Sequence, residues 1–281
     1  MAFAEIEESN YDGTPLNLYE FSLGGKTWGY VDAPADLTFA RKTYRALPVK
    51  HEGFSQSGNP DSDDLTIAIS AQAEVTQLFA GTPPSDAIPV TIRTLHRGDT
   101  EAPVVWSGTV KSARQVSAAE YNLNCNSLLA SLKRNGLRLS WSRGCPHALY
   151  DRSCRVKLSD HATLVQVESL GPTVIKSAAF GELGRRNLFG RPGEKNFLTG
   201  GFLTFPGEYG NIERRAIESH SGDEIHLMGH TDGINVGDWI TVYPGCNRTT
   251  SDCARRFDNL SNYGGFPQMP TKSPFDGDPV F

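Results

Sequence analysis

The sequence predicts a mainly β protein made of two β-rich domains and an extended C-terminal segment. The 281 residues include 28 glycines and 17 prolines, which favour turns and short strands over long helices. Runs of alternating apolar and polar residues recur along the chain, as expected for half-buried strands. Two cysteine pairs, at about residues 145 and 250, bracket the second predicted domain.

The composition narrows the class of protein. With 38% hydrophobic and 21% charged residues, the chain is globular rather than disordered. Its net charge of −5 lacks the basic excess that a nucleic-acid-binding face requires. The acidic start, Met1–Glu8, does not have the pattern of a signal peptide, and no apolar run reaches the roughly 18 residues of a spanning helix. We therefore expect folding in a reducing cytosol, where paired cysteines bind metal or do redox work more often than they form disulfides.

The first half of the chain is predicted to be strand-rich. Gly24-Gly25 is predicted to be the two-residue turn of a hairpin. The polar stretch Ser55–Asp64 predicts an exposed loop, and Ala73–Phe79 and Asn126–Asn135 predict two short helices. The predicted strands are Tyr19–Leu23, Thr27–Val31, Leu65–Ile69, Val90–Thr94 and Tyr121–Cys125.

The second half repeats the strand pattern up to about residue 255. Its spacing predicts a small antiparallel barrel or sandwich. Gly181–Glu194, rich in glycine and arginine, predicts a long loop. From Asn259 to Phe281, aromatic residues among prolines and glycines favour a segment that lies extended over a neighbouring surface, with disorder as the alternative. The predicted strands are Thr163–Val167, Phe197–Phe205, Ile212–Ser219, Glu224–His230 and Asp238–Tyr243.

Cys145 and Cys154 form the first cysteine pair, and Cys246 and Cys253 form the second. Four thiolates can hold a tetrahedral zinc ion or an iron–sulfur cluster. Eight and six residues separate the members of each pair, which is too wide for the CxxC turn of most structural zinc sites. The spacing therefore favours an iron–sulfur cluster. Zinc, disulfides and four unrelated buried thiols stay open as alternatives.

Other residues that could carry chemistry have simpler interpretations. Cys125 lies on the apolar face of a predicted strand and is expected to be a buried thiol. His226 and His230 lie four apart on a predicted strand, about 13 Å from each other, which is too far to share a metal. A nucleophile pair of Cys125 or Cys145 with His147 is not favoured. We predict no catalytic residues.

Several arginines flank the cysteines. Their guanidinium groups could stabilise a negatively charged site and tune its potential, or they could be solvated surface charges or take part in intersubunit salt bridges. They are Arg143, Arg152, Arg155, Arg248, Arg255 and Arg256.

The surroundings of the cysteines resemble a family of tailed-phage proteins. Gly144-Cys145-Pro146 is followed by Cys154; the strand-like run Val236–Cys246 ends at the third cysteine; and Cys253–Asn259 leads into Asn262-Tyr263-Gly264-Gly265-Phe266-Pro267. These features are similar to those of the tail-tip or baseplate-hub proteins of siphophages and gene transfer agents, including the L-type tail-tip proteins of lambda-like phages. The likeness covers the second half well and the first half only by its strand pattern.

The resemblance implies a cofactor and a domain plan. The cofactor is a [4Fe–4S] cluster held by Cys145, Cys154, Cys246 and Cys253. The plan is an N-terminal β-rich hub domain, related to tail-tube proteins, at 1–142. A smaller β-barrel-like domain at 143–255 is closed by the four-cysteine site. A C-terminal arm covers 256–281.

The resemblance also implies a structural, non-enzymatic role in the virion, after synthesis and assembly in the host cytoplasm. The protein would link the tail tube to the tip, form part of the DNA channel and assemble as a homotrimer. Expected partners are the distal tail or tube protein, neighbouring hub or central tip proteins and the tape-measure protein. Genomic DNA would pass without specific binding, because an acidic lining does not attract phosphates. The alternatives are a zinc-binding structural adaptor, a tail-associated hydrolase or a cluster-dependent oxidoreductase.

Overall fold

The computed structural model describes residues 15–53, 64–96, 99–128, 139–185 and 196–270. Strands make up 43% and helices 12% of the structure, and one sheet curls into a half-barrel, which confirms the predicted mainly β class. By internal contacts the chain divides into two compact units: Met1–Asn135 with Pro206–Glu213, and Gly136–Phe205 with Arg214–Phe281. The domain bounds predicted from the sequence stay predictions.

The first nine strands form one sheet in the order β3-β4-β2-β1-β7-β8-β9-β6-β5. Its strands are β1 Pro15–Leu23, β2 Lys26–Val31, β3 Leu37–Phe39, β4 Lys42–Ala46, β5 Val49–His51, β6 Leu65–Ser70, β7 Ile88–His96, β8 Val104–Ser117 and β9 Glu120–Ser127. The single-turn helix α1, Glu74–Gln77, lies within the predicted Ala73–Phe79.

The hairpin between β1 and β2 confirms the predicted two-residue turn. Leu23 pairs with Lys26 across it, and Gly24 adopts a φ of +56°, a conformation that glycine reaches without strain. A side chain at Gly24 would also meet the carbonyl oxygen of Tyr209 at 2.4 Å. Backbone conformation and close approach therefore both require glycine there.

The core of the first unit follows from the period-two pattern of its strands. Leu65, Ile67 and Ile69 of β6 are buried in alternation with half-buried neighbours, as a strand with one face on the core demands. Cys125 of β9 belongs to the same core cluster and is 1% exposed. Burial raises its pKa to about 12, which confirms the interpretation as a buried thiol.

Within the described residues, seven further strands form a second sheet in the order β10-β16-β13-β14-β15-β12-β11. They are β10 Thr163–Gln166, β11 Ser169–Leu170, β12 Val174–Lys176, β13 Phe202–Pro206, β14 Ile212–Ser221, β15 Glu224–Leu227 and β16 Trp239–Tyr243. Helix α2 spans Ala178–Arg185, helix α3 spans Thr250–Phe257, and 3-10 turns cover Leu158–His161 and Leu260–Asn262.

All five strand runs predicted in the second half contain a strand, with one start displaced. The run predicted from Phe197 becomes β13 only at Phe202. Gly200 takes a φ of +72°, and a Cβ on Gly201 would lie 2.1 Å from the carbonyl oxygen of Tyr243. These glycines turn the chain into the sheet, so the strand begins after them.

Two predictions need correction. The predicted loop Gly181–Glu194 begins as helix, because α2 continues to Arg185 and Phe180 within it is fully buried; residues 186–194 lie outside the described part. The predicted helix Asn126–Asn135 cannot begin at Asn126, since β9 pairs with β8 through Ser127; residues 129–135 of it lie outside the described part. Of the predicted loop Ser55–Asp64, residues 55–63 also lie outside the described part.

Candidate functional site

The second unit contains a cavity of about 170 Å³ that all four cysteines of the two pairs line. Cys253 is buried, and Cys145, Cys154 and Cys246 are partly buried. The structure thus brings together every residue predicted for the site, although about ninety residues separate the two pairs in sequence.

Asp151 shapes the loop that carries the first pair. One of its carboxylate oxygens accepts hydrogen bonds from the backbone N–H groups of Ser153 at 2.8 Å and Cys154 at 2.6 Å. The other accepts from the N–H of Ala148 at 3.1 Å. Burial acts to raise the pKa of Asp151, but these N–H donors lower it overall. The carboxylate stays ionised and holds Cys154 at the cavity wall.

The loop that carries Cys246 is held from two sides. The backbone N–H of Arg248 donates to the sulfur of Cys246 at 3.3 Å. The buried Asp252 accepts from the N–H of Asn247 at 2.8 Å. The guanidinium of Arg256 donates to the carbonyl oxygen of Gly245 at 3.1 Å. Both ends of this loop are therefore tied to helix α3.

Helix α3 presents Cys253. Its N-cap is Thr249, whose hydroxyl accepts from the N–H of Asp252 at 3.1 Å, the usual way to satisfy a free donor at a helix start. The residue after the helix, Asp258, is its C-cap and adopts the left-handed conformation, with φ +46°. The sequence did not predict this helix.

The six arginines that flank the cysteines fall into two groups by their burial. Arg256 is buried, lies over the ring of Phe197 at 5.8 Å and has its Nε 3.8 Å from a carboxylate oxygen of Asp252. The other five, Arg143, Arg152, Arg155, Arg248 and Arg255, are exposed. Arg256 is therefore a structural support of the second cysteine loop.

The two cysteine pairs are joined directly. The backbone N–H of Cys145 donates to the carbonyl oxygen of Arg248 at 2.9 Å. The side-chain amide of Asn259 donates to the carbonyl oxygen of Cys154 at 2.6 Å, and the Cys253 thiol donates to the carbonyl oxygen of Asn259 at 3.1 Å. These contacts hold the loop of the first cysteine pair against residues 248–259 at the cavity.

The segment Asn262–Pro267 covers the loop of the first pair. The hydroxyl of Tyr263 lies 2.9 Å and 3.1 Å from the carbonyl oxygens of Arg143 and Arg248. The N–H of Gly264 donates to the sulfur of Cys145 at 3.5 Å. Three of the four sulfurs thus have an N–H donor near them: those of Cys145, Cys154 and Cys246.

Close contacts with residues 143–147 explain why two residues of this segment are glycines. A Cβ on Gly264 would lie 2.4 Å from Nε2 of His147, and one on Gly265 would lie 2.7 Å from the carbonyl oxygen of Arg143. Phe266 then stacks on Trp141 with ring centroids 4.5 Å apart. The run Tyr-Gly-Gly-Phe is therefore shaped by its contact with residues 141–147.

Burial and electrostatic repulsion between the cysteines raise the pKa of two of the thiols. Burial, and next the thiolates of Cys246, Cys154 and Cys145, raise the pKa of Cys253 to about 11. Burial is also the main cause of the raised pKa of Cys246. Burial and the repulsion between neighbouring thiolates therefore disfavour ionisation of Cys246 and Cys253, and a bound cation would offset both effects.

His147 is a cavity residue for which the sequence predicted no role. Its Nδ1 is buried and has no hydrogen-bond partner in the described part of the protein. A buried polar atom without a partner is rare and points to a missing one. His226 lies on β15, as the strand interpretation predicted, and His230 follows that strand.

Within the described residues, no three histidine, cysteine, aspartate or glutamate side chains lie close enough together to hold one metal ion. The same part of the chain holds no helix with the length and apolar character that crossing a membrane requires.

Comparisons with known proteins cover both halves of the chain. Residues 17–157 match the family described as "Baseplate hub protein, N-terminal attachment domain". Residues 196–273 match the family described as "Phage conserved hypothetical protein BR0599".

Two individual proteins are also similar. An uncharacterized protein of Xylella fastidiosa (strain 9a5c) is 26% identical over 187 residues, which is 60% of this chain but only 38% of that relative. A chain from the virion of a native gene transfer agent particle shares the fold, with a TM-score of 0.73 and 20% identity over 99% of this chain and 96% of that one.

Proposed function

The chain belongs to the family of phage baseplate hub proteins with an N-terminal attachment domain, and we propose that it links the tail tube to the tail tip and forms part of the DNA channel. As a member of this family it is a structural component of the phage tail baseplate. We further propose a homotrimer that contacts the distal tail or tube protein, neighbouring hub or central tip proteins and the tape-measure protein. The net charge of −5 supports a channel that DNA crosses without binding.

We propose that Cys145, Cys154, Cys246 and Cys253 hold a [4Fe–4S] cluster. The observation that carries this proposal is the cavity lined by all four thiols. Four cysteine thiolates are the usual ligand set of such a cluster.

The spacing of the cysteines in sequence favours a cluster over zinc, the main alternative. Structural zinc sites usually take ligand pairs from a tight turn with two to four residues between the cysteines. Here eight and six residues separate the members of each pair. In a cubane cluster each thiolate binds a different iron, so the ligands lie further apart around a larger object.

The surroundings of three sulfurs suit thiolates. N–H groups of Gly264, Arg248 and Asn259 point to sulfurs of the site at 3.5, 3.3 and 3.8 Å. Such donors stabilise negative charge on sulfur and tune the cofactor. Cys253 differs, because its thiol faces a carbonyl oxygen, and this contact must open when the thiolate forms.

The role that we propose for the cluster is structural. When bound, it supplies metal–thiolate bonds that tie residues 145–154 to residues 246–253. Such bonds stabilise only the folded state, so their free energy is folding free energy. The structural family favours this role over that of a hydrolase or an oxidoreductase.

A pair of cysteine variants tests the proposal. We expect Cys246→Ala to lose iron and to stop tail assembly, whereas Cys125→Ala, which removes a buried thiol from the core of the first unit, retains both. Iron content of the purified protein and electron microscopy of particles are the measurements. Tails that assemble normally with Cys246→Ala would refute the structural role.

A further inference from the structure

Asn259 contacts one cysteine from each pair, and we propose that it is a positioning residue that clamps Cys154 to Cys253 before any cofactor is bound. The cofactor part of this inference rests on the proposed function. The clamp itself does not, because its contacts are made by the protein alone.

The side chain of Asn259 forms the first half of the clamp. Its amide nitrogen donates to the carbonyl oxygen of Cys154 at 2.6 Å and lies 3.8 Å from the sulfur of the same residue. Its amide oxygen accepts from the side chain of Asn262 at 2.6 Å. Because the oxygen is engaged by Asn262, the amide is oriented with its N–H groups toward Cys154.

The backbone of Asn259 forms the second half. Its N–H donates to the carbonyl oxygen of Cys253 at 2.9 Å, and its carbonyl oxygen accepts from the Cys253 thiol at 3.1 Å. The residue is 9% exposed, so little water competes for these bonds. The left-handed Asp258 makes the turn that brings Asn259 back to the end of helix α3.

Asparagine suits this position on chemical grounds. The position needs a short side chain with a donor for Cys154 and an acceptor for Asn262. Aspartate has the same size but lacks the donor, and its charge would repel a thiolate at Cys154. In addition, an amide N–H near a cysteine ligand draws charge from the sulfur, which raises the reduction potential of a bound cluster.

The clamp can be tested on the metal-free full-length protein. In Asn259→Ala, we expect alkylation by iodoacetamide to be about fivefold faster at Cys154, in line with the loss of one buried hydrogen bond. Cys253 should keep its rate, because it bonds to the backbone of residue 259, which the variant retains. Cys145 and Cys246 should keep their rates, since Asn259 makes no hydrogen bond to them among those described. Peptide mass spectrometry resolves each cysteine: Cys145 and Cys246 report any opening of the second unit, and Cys125 reports opening of the first.

The pattern of rates decides the test. An unchanged rate at Cys154 would overturn the clamp. Equal acceleration of all four site cysteines would mean that the second unit has opened as a whole; the milder variant Asn259→Ser is then judged, and equal acceleration there too would overturn the clamp.

Measuring the reduction potential of the bound cluster tells a positioning role of Asn259 from a purely structural one. In the loaded protein, we expect Asn259→Asp to shift the reduction equilibrium toward the oxidised form by on the order of tenfold, because the variant loses an N–H donor and adds a negative charge beside the sulfur of Cys154. Asn124→Asp, the same exchange on the exposed face of β9, is the control and should leave the potential unchanged. An equal potential in Asn259→Asp and wild type would overturn the effect on the sulfur.

The two proposals fail in different ways. A wild-type protein that forms no cluster would overturn the proposed cofactor, while the alkylation rates of the metal-free protein still decide the clamp. A loaded wild type with unchanged alkylation in the variant would overturn the clamp alone.

Discussion

Gly264 lies against the imidazole of His147, which would have to shift to admit a side chain, since a Cβ would meet Nε2 at 2.4 Å. We predict that Gly264→Ala destabilises the metal-free protein by about 1–3 kcal/mol, the usual cost of overpacking, and lowers cofactor content. Urea unfolding measures the first effect and iron analysis the second.

The matched control for this variant is Gly53→Ala. Among the described residues, a Cβ there would meet nothing within 4 Å, so its effect should stay within about 0.5 kcal/mol. Equal unfolding midpoints for the two variants would show that the contact between Gly264 and His147 is not tight.

Buried histidines make the stability depend on pH. Burial lowers the pKa of His51, His161 and His220 below 6.5. A base with a lower pKa in the folded state binds fewer protons there than in the unfolded chain. Its contribution to stability is therefore complete above about pH 6.5 and is lost as the pH falls through 6.5 toward the folded pKa.

We predict that wild-type protein loses stability between pH 7 and pH 5 and that His161→Phe loses less. The ring of His161 lies 5.1 Å from that of Phe257, so an aromatic replacement preserves much of the packing. Exposed His230→Gln is the control and should follow the wild type. Parallel curves of unfolding free energy against pH for His161→Phe and wild type would contradict the prediction.

Helix α3 is short, so its start matters for the position of Cys253. We predict that Thr249→Ala costs about 1 kcal/mol, because the N-cap hydroxyl bond to Asp252 is lost, and that it lowers iron occupancy. Thr249→Ser keeps the hydroxyl and should behave like the wild type. Denaturant unfolding and iron content test both; an Ala variant as stable as the Ser variant would exclude a role for the cap.

Elements with a clear period were predictable from the sequence. The β1–β2 hairpin and β6 follow from strict alternation and turn glycines, which local sterics and one-sided burial impose. Helix α3 was not predictable, because its eight residues are too few for a helical period and are held by contacts with the cysteine loops. Helix α2 contains Gly181 and Gly184, which favour a loop, but the burial of Phe180 outweighs that preference.

The candidate site, too, was predictable from the sequence only in part. The four cysteines stand out in the sequence because chemistry restricts the residue types that bind metal. Asn259 and His147 do not stand out, since their roles arise from contacts over about a hundred residues that no local pattern encodes. In the sequence, only the run Asn262–Pro267 indicates that the region after Cys253 packs against another part of the protein.

At the scale of the whole molecule, each unit has its own hydrophobic core, but the four-cysteine site belongs to the second unit alone. Segments from opposite ends of that unit meet around the cavity, so a bound cofactor would close a loop of about a hundred residues. A cross-link of that length constrains the unfolded chain strongly. The central claim is therefore that a four-thiolate cofactor holds this unit together within the baseplate.

The most direct measurement is iron, zinc and sulfide analysis of the full-length protein purified without oxygen, together with its absorption spectrum. The account predicts about four irons and four sulfides per chain, as a [4Fe–4S] cluster requires. One zinc per chain without sulfide would contradict the cluster but keep the four-cysteine site. Protein without any metal would contradict the claim altogether.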